Sequence, residues 1–292
     1  MRSGFCSIVG RPNVGKSTLL NALVGQKIAI TTSVPQTTRH AIRGIIHRDD
    51  VQVVFVDTPG MHKPKTLLGS RLNEVATEHL RGMDVVVLVV DASAEIGRGD
   101  RFVAGLLENV PTPVFAVANK IDRITPAQQL PQLAALSELG EFDEIVPVSA
   151  ATGDGVERLE RLIAARMPEG PPYFPEGQVS DQSTEQLVSE IIREKAITRM
   201  REEVPHSVAV AIEEMGPGES EGVIAIYAWL YVERESQKGI VIGHGGQVLR
   251  EIGAAARKEL ELVLASRVYL DLRVKLLKEW QRDAKALQRL GY

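Results

Sequence analysis

Cysteine is almost missing from the sequence, and this excludes a disulfide-stapled protein. The one thiol, Cys6, lies in the apolar run FCSIV and has no second cysteine to pair with, as expected in a reducing compartment. We interpret Cys6 as a buried strand residue, because free cysteines are commonly buried. The six histidines show no spacing with this cysteine or with one another that is typical of a metal site.

A long hydrophobic run and a strong charge of one sign are also missing. The longest clean apolar run, VVVLVV at 85–90, is far below the ~18 residues that a membrane helix requires, and the first residues show no signal region. The 34 basic and 38 acidic residues give a net charge of −4, so any contact with nucleic acid must use a local patch. We therefore expect a soluble, cytoplasmic monomer, and the 292 residues predict about two domains.

The first half of the chain alternates short apolar runs with helical patterns. The runs that predict strands are FCSIV at 5–9, VQVVFVD at 51–57, DVVVLVVD at 84–91, PVFAVANK at 113–120 and EIVPVSA at 144–150. Helices are predicted for 17–24, which ends at Gly25, and for 156–167. Runs rich in valine and isoleucine that are separated by helices favour an α/β domain, residues 1–167, with a mainly parallel sheet covered on both faces.

A shift in composition marks the end of this domain. PEGPPYFPEG at 168–177 has four prolines and two glycines, which predicts a semi-rigid linker over 168–184; a long loop inside one domain is the alternative. A smaller α+β domain over 185–292 follows. Its predicted elements are a helix at 185–203, a hairpin of strands at 207–215 and 222–235, two helices around a glycine loop, a strand at 267–274 and a terminal helix from about Lys275 to Leu290.

A phosphate-binding loop is predicted between the first strand and the first helix. GRPNVGKS at 10–17 matches G-x-x-x-x-G-K-S in the strand-to-helix context that this motif requires. Its glycines let backbone N–H groups close on phosphate oxygens. Lys16 brings a positive charge to the β- and γ-phosphates, and Ser17 offers a hydroxyl to Mg²⁺. The residues predicted to bind the nucleotide phosphates, here and in the next motif, are Gly10, Arg11, Pro12, Asn13, Val14, Gly15, Lys16, Ser17, Thr18, Asp57 and Gly60.

The second phosphate motif, VDTPGMH, ends the strand VQVVFVD. Asp57 is placed at the carboxyl edge of the sheet, where α/β proteins bind ligands, and we assign it to the Mg²⁺ shell through water. Gly60 can donate its N–H to a γ-phosphate and can move when that phosphate leaves, which predicts a switch rather than a plain pocket. Met61 follows, and its thioether can neither aim a water molecule nor take its proton.

NKID, at the end of the strand PVFAVANK, predicts a guanine site. Asp122 can accept hydrogen bonds from the N1–H and the exocyclic amine of guanine, a donor pair that adenine lacks, and such a site can discriminate by about 10⁴-fold. Asn119 can tie neighbouring loops together, and the stem of Lys120 can lie over the purine. VSA at 148–150 offers a backbone N–H, from Ala150, to guanine O6. The predicted guanine-binding residues are Asn119, Lys120, Asp122, Ser149 and Ala150.

Residues 1–165 resemble a translation-factor-class P-loop GTPase. The resemblance implies that PQTTRH at 35–40 is the first switch. It implies that Thr38 caps Mg²⁺ in the GTP state, with Thr37 as the neighbouring alternative. The Mg²⁺ ligands that follow from this are Ser17, Thr38 and Asp57.

The residue after Gly60 sets the expected mode of hydrolysis. GTPases that are similar in having an apolar residue at the place of Met61 hydrolyse GTP without a glutamine there, since phosphoryl transfer mostly requires positioning and charge stabilisation. In similar proteins with an asparagine at the place of Asn13, a K⁺ ion lies against the phosphates. The resemblance therefore implies slow turnover, with stimulation by K⁺ beside Asn13 as a hypothesis; an asparagine that stabilises the loop without binding an ion is the alternative. The implied catalytic residues are Lys16, Thr38, Gly60 and Asn13.

VIGHGGQVLREIG contains a glycine loop between two helical patterns. In KH domains a G-x-x-G loop clamps the backbone of single-stranded RNA, because side chains would collide with the sugar-phosphate path. The hairpin before it and the strand RVYLDLRV after it resemble the type II KH fold; a helix–turn–helix without a ligand is the alternative. The pair His244-Gly245 brings little charge, and basic residues in 267–289 can compensate, although a solvated helix face explains them equally well. The residues predicted to bind RNA are Gly243, His244, Gly245, Gly246, Lys238 and Arg250.

A GTPase domain joined by a Pro-rich linker to a type II KH domain resembles the Era family of bacterial ribosome-assembly GTPases. The resemblance covers essentially the full chain and includes GRPNVGKSTLLNALVGQKI, PQTTRH, VDTPG, NKID, SEIIREK, VERESQKGIVIG and LGY. It implies binding of GTP and GDP with Mg²⁺, of the 3′ end of small-subunit ribosomal RNA and of the maturing 30S-type subunit. It further implies that the GTP-bound state exposes the KH surface and that hydrolysis releases the RNA. Peripheral association with the inner face of the cell membrane also belongs to the family, although the sequence shows no anchor.

Two interpretations from other classes remain open at this stage. A signalling module would use its C-terminal domain to bind a protein or a membrane surface, and the glycine loop with its hairpin favours RNA over that. A general NTPase motor is disfavoured by Asp122 and by the lack of a second basic catalytic element.

Overall fold

The structure is a computed structural model that describes residues 1–64 and 66–292. Its first compact unit is built on one sheet. The elements of this unit are β1 (Arg2–Val9), α1 (Lys16–Val24), β2 (Ile42–Arg48), β3 (Val51–Asp57), α2 (Leu67–Glu78), β4 (Val85–Asp91), α3 (Arg98–Leu107), β5 (Val114–Asn119), α4 (Pro126–Ser137), β6 (Glu144–Val148) and α5 (Val156–Ala165). Within the described ranges the strand order is β2-β3-β1-β4-β5-β6, and β2 is the antiparallel strand. The predicted α/β class with a mainly parallel sheet is confirmed.

The strands at the centre of the sheet read as continuous apolar runs because both of their faces are covered. Every residue of β3 and of β4 is buried, as expected of parallel strands between helices. Cys6 is buried in this core as predicted, and burial together with the nearby Asp84 carboxylate raises the pKa of its thiol well above the ordinary value. The carboxyl ends of β1, β3, β4 and β5 meet at one edge, so the loops that follow them come together there.

Strand β2 was missed by the sequence interpretation. It pairs with β3 as a hairpin in which Ile42 faces Asp57 and Arg48 faces Val51. Two residues, Asp49 and Asp50, connect the strands. Asp49 and Asp50 are turn-favouring residues between two apolar runs, but the pair lacks the glycine of the strong two-residue hairpin signals, so the sequence marked this hairpin only weakly.

The Pro-rich segment after α5 lies along the sheet. This segment, through Asp181, groups with the first compact unit, and Gln182–Tyr292 belong to the second. The amide of Gln52, which is fully buried in β3, is satisfied by this segment: Nε2 donates to Phe174 O at 2.8 Å, and Oε1 accepts from Tyr173 N at 2.7 Å. The segment is therefore bonded to the sheet, while the domain boundaries at 167 and 184 stay a prediction.

The second unit has the predicted order of elements. These are α6 (Thr184–Arg199), β7 (Ala209–Pro217), β8 (Val223–Val232), α7 (Glu235–Ile242), α8 (Gln247–Val263), β9 (Arg267–Leu276) and α9 (Ala284–Arg289). Among the described residues the sheet order is β7-β8-β9, with β7 antiparallel and β9 parallel to the central β8. Helix α6 begins at a capping box, in which Ser183 Oγ accepts from Gln186 N and Gln186 Oε1 accepts from Ser183 N, both at 3.2 Å. The helices cover one face of the sheet, which defines a small α+β domain.

The predicted terminal helix from Lys275 to Leu290 is wrong in its first half. Strand β9 continues through Leu276, and the helix α9 begins only at Ala284. Glu279 between them has the left-handed φ of 49°, which interrupts a helix. Trp280 is fully buried and donates from Nε1 to Ser207 O at 3.0 Å, so tertiary packing fixes this turn. None of the helices in the described residues is long and apolar enough to cross a membrane.

Candidate nucleotide site and glycine-loop site

The ammonium group of Lys16 lies across the loop between β1 and α1. Its Nζ donates to the backbone oxygens of Gly10 at 3.1 Å and Arg11 at 3.0 Å. Burial lowers the pKa of Lys16 to about 8; the Asp57 carboxylate opposes this shift and Arg11 adds to it. The Arg11 guanidinium itself bonds Asp100 on α3, Nε to Oδ1 at 2.9 Å. A cation held by neutral carbonyls at the mouth of this loop can exchange them for phosphate oxygens.

Asn119 joins the loops that follow β1, β5 and β6. Its Nδ2 donates to Val14 O at 2.8 Å, and its Oδ1 accepts from Ala150 N at 3.0 Å. The close approach requires a glycine, because a Cβ at Gly15 would lie 2.3 Å from Asn119 Nδ2. The predicted contact of the Ala150 N–H with guanine O6 stays a prediction, and it requires this N–H to be shared with Asn119.

Lys120 is held between two oxygens. Its Nζ donates to Asn13 O and to Asp91 Oδ2, both at 2.6 Å. Burial raises the pKa of Asp91, but hydrogen bonds from Lys120 and Ser93 outweigh burial and leave it below its ordinary value. Sequence reasoning missed Asp91, although its position at the end of β4, at the same sheet edge as Asp57, was the available signal. Asp91 fixes the lysine stem whose predicted place is over the purine.

Asp122 is oriented by Ser149. Ser149 is buried and its Oγ donates to Asp122 Oδ1 at 2.6 Å. The Asp122 side chain is exposed, so its carboxylate is open to a ligand. A carboxylate fixed through one oxygen in this way can present its free lone pairs to two neighbouring N–H donors.

Three oxygen-bearing side chains converge behind the phosphate loop. Ser17 Oγ lies 2.7 Å from Thr38 Oγ1 and donates to Asp57 Oδ2 at 2.6 Å. Asp57 is fully buried, its Oδ1 has no hydrogen-bond partner among the described residues, and burial raises its pKa to about 6. A buried acid with an unsatisfied oxygen beside two hydroxyls is the hard-oxygen donor set that Mg²⁺ prefers. Of the two switch threonines, Thr38 is therefore the one that the geometry favours as a Mg²⁺ ligand.

The motif after β3 is tied to the phosphate loop and to the first switch. The Met61 side chain is buried, and its backbone N donates to Gly10 O at 3.2 Å. The next residue, His62, reaches both switches: its Nδ1 lies 3.3 Å from Gly60 O and its Nε2 lies 2.5 Å from Gln36 Nε2. With the proton on Nδ1, the ring donates to Gly60 and accepts from the Gln36 amide. Sequence reasoning stopped at Met61 and missed this link.

The glycine loop of the second unit separates α7 from α8. Gly245 and Gly246 have φ of 56° and 78°, a region that favours glycine, and no atom lies within 4 Å of a Cβ built on either. His244 and Arg250 are exposed. Lys238 forms an ion pair, with its Nζ 3.9 Å from Glu235 Oε1. The loop is therefore open to solvent at the point where a nucleic-acid backbone is predicted to pass.

A groove runs from this loop between α8 and β9. It measures about 580 Å³, and Gly246, Arg250, Arg257 and Tyr269 are among its lining residues. Strand β9 is an edge strand of the described sheet, so one side of its backbone is available to a ligand. Sequence reasoning missed Arg257, which lies seven residues after Arg250 and hence on the same face of α8.

Comparison with known proteins covers both units. Residues 5–120 match the family model described as 50S ribosome-binding GTPase, and residues 203–281 match the KH domain model. The chain is 52% identical to GTPase Era of Mycobacterium bovis over 295 residues, covering 99% of this chain and 98% of the relative, and equally similar to that of Mycobacterium tuberculosis.

Two solved structures agree with the whole fold. The first is Era in complex with MgGDPNP and nucleotides 1506–1542 of 16S ribosomal RNA, with a TM-score of 0.97 and 40% identity. The second is a substituted Aquifex aeolicus Era bound to GDP and aluminium fluoride, with a TM-score of 0.96 and 40% identity. Each alignment covers 100% of this chain and 99% of the other.

Fold and site define a P-loop GTPase that carries a C-terminal KH domain. Because the similarity to curated GTPases extends over the full length, the chain belongs to the Era family of GTPases. The resemblance inferred from the sequence is confirmed.

Proposed function

We propose that the chain is a GTP-hydrolysing switch that binds the 3′ end of small-subunit ribosomal RNA and assists maturation of the small subunit. The observation that carries the proposal is the agreement over both units with an Era that holds MgGDPNP and the 16S RNA segment together. The chain is proposed to act in the cytoplasm, as a monomer. Peripheral contact with the inner face of the membrane rests on the family resemblance alone.

The phosphate end of the site is proposed to work by positioning and charge. Lys16 binds β- and γ-phosphate oxygens, and the phosphate loop supplies N–H donors to the same groups. Ser17, Thr38 and Asp57 are proposed to hold Mg²⁺, which neutralises phosphate charge when bound. The unsatisfied Oδ1 of Asp57 supports this assignment. The described residues bring no three His, Cys, Asp or Glu side chains together as a metal cage. The donors that the chain would offer to Mg²⁺ are the hydroxyls of Ser17 and Thr38 and the carboxylate of Asp57.

Hydrolysis is proposed to proceed without a glutamine, with K⁺ as the charge stabiliser beside Asn13. We expect GTP hydrolysis to be about 10²-fold faster in K⁺ than in Na⁺ at equal ionic strength, the size of one electrostatic stabiliser. Asn13→Gly keeps the left-handed backbone, φ 65°, removes the amide and should abolish the difference. Single-turnover hydrolysis measures both rates. Equal rates in the two salts for the unsubstituted chain would refute the role of K⁺.

His62 is proposed to position the two switches against each other. His62→Ala removes two hydrogen bonds, those with Gly60 and Gln36. It should lower kcat about tenfold or more, because each hydrogen bond contributes about 0.5–1.5 kcal/mol. KM for GTP should stay constant, because neither contact reaches the phosphate loop. Substitution of the exposed neighbour, Lys63→Ala, is the control. A change in KM with kcat unaltered would contradict a positioning role.

RNA binding is proposed for the glycine loop and the groove between α8 and β9. The open loop admits the sugar-phosphate backbone, and Arg250 and Arg257 line the groove beside it. This local patch meets the requirement set by the negative net charge of −4.

The proposal is tested by binding of labelled RNA. An RNA that matches the small-subunit 3′ end and a scrambled RNA of the same composition are titrated with the full chain, loaded with a non-hydrolysable GTP analogue at fixed salt. Tighter binding of the matching RNA is expected. Equal, weak binding of both would instead favour a signalling module whose KH domain serves a protein or a membrane.

A further inference from the structure

Side chains along β8 and β9 point alternately to the two faces of the KH sheet, and the two faces differ in composition. Ile226, Ala228 and Leu230 of β8 are buried beneath the helices. The residues between them, Tyr227 and Trp229, point to the opposite face. Only 4% of the whole chain is aromatic, so two aromatic side chains on one strand face are a concentration that core packing against the helices does not explain.

Strand β9 adds to this open face. Its outward positions are Arg267, Tyr269, Asp271, Arg273 and Lys275, and β8 pairs with it in parallel so that Trp229 faces Arg273. Tyr269 is 53% exposed and meets Tyr227 edge to face, with ring centroids 6.1 Å apart. The open face therefore combines aromatic rings with cations, the composition of surfaces that bind single-stranded nucleic acid.

The cations stand directly over the tryptophan. Lys275 Nζ lies 5.0 Å and Arg273 Cζ 5.9 Å from the centroid of the Trp229 ring. Asp271 bonds Arg273, Oδ2 to Nη2 at 2.7 Å, and Glu213 contributes a second negative charge nearby. With Arg267 the face holds three cations against three carboxylates, because Glu214 pairs directly with Tyr227 and lies on the same face. The charges of the face therefore balance, and Arg267 and Lys275 are the cations that Asp271 does not hold.

The open face is continuous with the groove proposed to bind RNA. Tyr269 and Asp271 of β9 line that groove and also belong to the open face. A strand of RNA that leaves the groove at β9 meets Tyr269 first, then the ring of Tyr227, and then Trp229 with the two cations over it. Continuity with the groove and the ring surface that this face offers for stacking point to the same occupant, an unpaired stretch of RNA.

We propose that the face of the KH sheet turned away from the helices is a second contact for single-stranded RNA, on which bases flanking the groove-bound segment stack. This rests on the proposed function of the groove and extends its footprint. Stacking on aromatic rings tolerates any base, so the second contact adds affinity and length dependence without adding sequence preference.

Trp229 provides a direct reporter of such stacking. The chain has two tryptophans, and the other, Trp280, is fully buried. The full chain, loaded with a non-hydrolysable GTP analogue, is titrated with an RNA just long enough for the groove and with the same RNA extended by six nucleotides at one end or the other. We expect one extension to tighten binding five- to tenfold, as one stacked base does, and to quench Trp229 fluorescence. The short RNA should leave the fluorescence unchanged.

Two substitutions separate the contacts. Lys275 lies outside the groove. Its substitution, Lys275→Ala, should remove most of the affinity gained from the extension, while the short RNA binds as before. Lys278→Ala, an exposed lysine beyond the end of β9, is the matched control and should change neither. If the short RNA binds but the extension brings neither affinity nor quenching, the second contact is refuted and the groove assignment stands. If no RNA binds, both are refuted. Quenching of Trp229 by a ribosomal protein rather than by RNA would assign the face to that protein and overturn the proposal.

Discussion

Asp122→Asn is expected to convert the site from guanine to xanthine recognition. The Asp122 carboxylate, fixed by the 2.6 Å bond from Ser149, is predicted to accept hydrogen bonds from both the N1–H and the exocyclic amine of guanine. An asparagine keeps one acceptor but turns an N–H donor toward that amine, leaving two donors opposed. Xanthine carries an oxygen there and restores the pair. We expect about 10⁴-fold weaker GTP binding, the scale on which hydrogen-bonding sites reject a mismatched ligand, and a comparable preference for xanthosine triphosphate.

Equilibrium titration with fluorescent guanosine and xanthosine nucleotides measures this exchange. Asp154→Asn is the matched control, because it makes the same change of charge in the loop that contains Ser149 and should leave the preference for GTP intact. Weak binding of both nucleotides by Asp122→Asn, with the fold preserved, would show that Asp122 supports the loop rather than reads the base.

Gly245→Asp is expected to reduce RNA affinity about 100-fold while nucleotide binding is unchanged. The glycine lies in the open loop with nothing within 4 Å of its Cβ position, so the carboxylate would lie where the phosphate backbone is proposed to pass. Opposed like charges at an interface cost several kcal/mol of binding free energy, and a 100-fold loss of affinity corresponds to ~2.7 kcal/mol. Aspartate tolerates positive φ better than most residues, so the domain should still fold.

Gly222→Asp separates charge at the loop from backbone strain. Gly222 also has positive φ, 73°, with open space around it, and it lies in the hairpin turn of the same unit. This control should bind RNA like the unsubstituted chain. A similar loss of RNA affinity in both variants would attribute the effect to the fold or to overall charge, and would remove the support that the loop gives to RNA binding.

The nucleotide site was predictable because each of its motifs is local. GRPNVGKS, VDTPG and NKID each follow a strand, and parallel strands bring their carboxyl ends to one edge whatever the rest of the chain does. The proximity of Ser17 and Asp57 follows from that edge, whereas Thr38 was assigned by the family resemblance and reaches Ser17 through the loop before β2. Asp91 could have been found by the same rule, since β4 also ends there.

Other features depend on contacts between distant segments. The bond between Gln52 and the Pro-rich segment joins residues more than a hundred positions apart, and sequence pattern showed only a polar residue inside an apolar run. The turn at Glu279 is fixed by the burial of Trp280 against Ser207, while the local pattern remained helical. The contact between His62 and Gln36 likewise joins two loops, and the hydrophobic pattern of the sequence does not indicate it.

Control of RNA binding by the nucleotide state is the central property proposed for this protein. The most direct test is the affinity of the full chain for the small-subunit 3′-end RNA, first loaded with a non-hydrolysable GTP analogue and then with GDP, at the same salt concentration. We predict at least tenfold tighter binding in the GTP-like state, a difference of about 1.4 kcal/mol, within the usual range of coupling between sites. Equal affinities in the two states would contradict a switch and would leave the GTPase and the RNA-binding domain as independent parts of one chain.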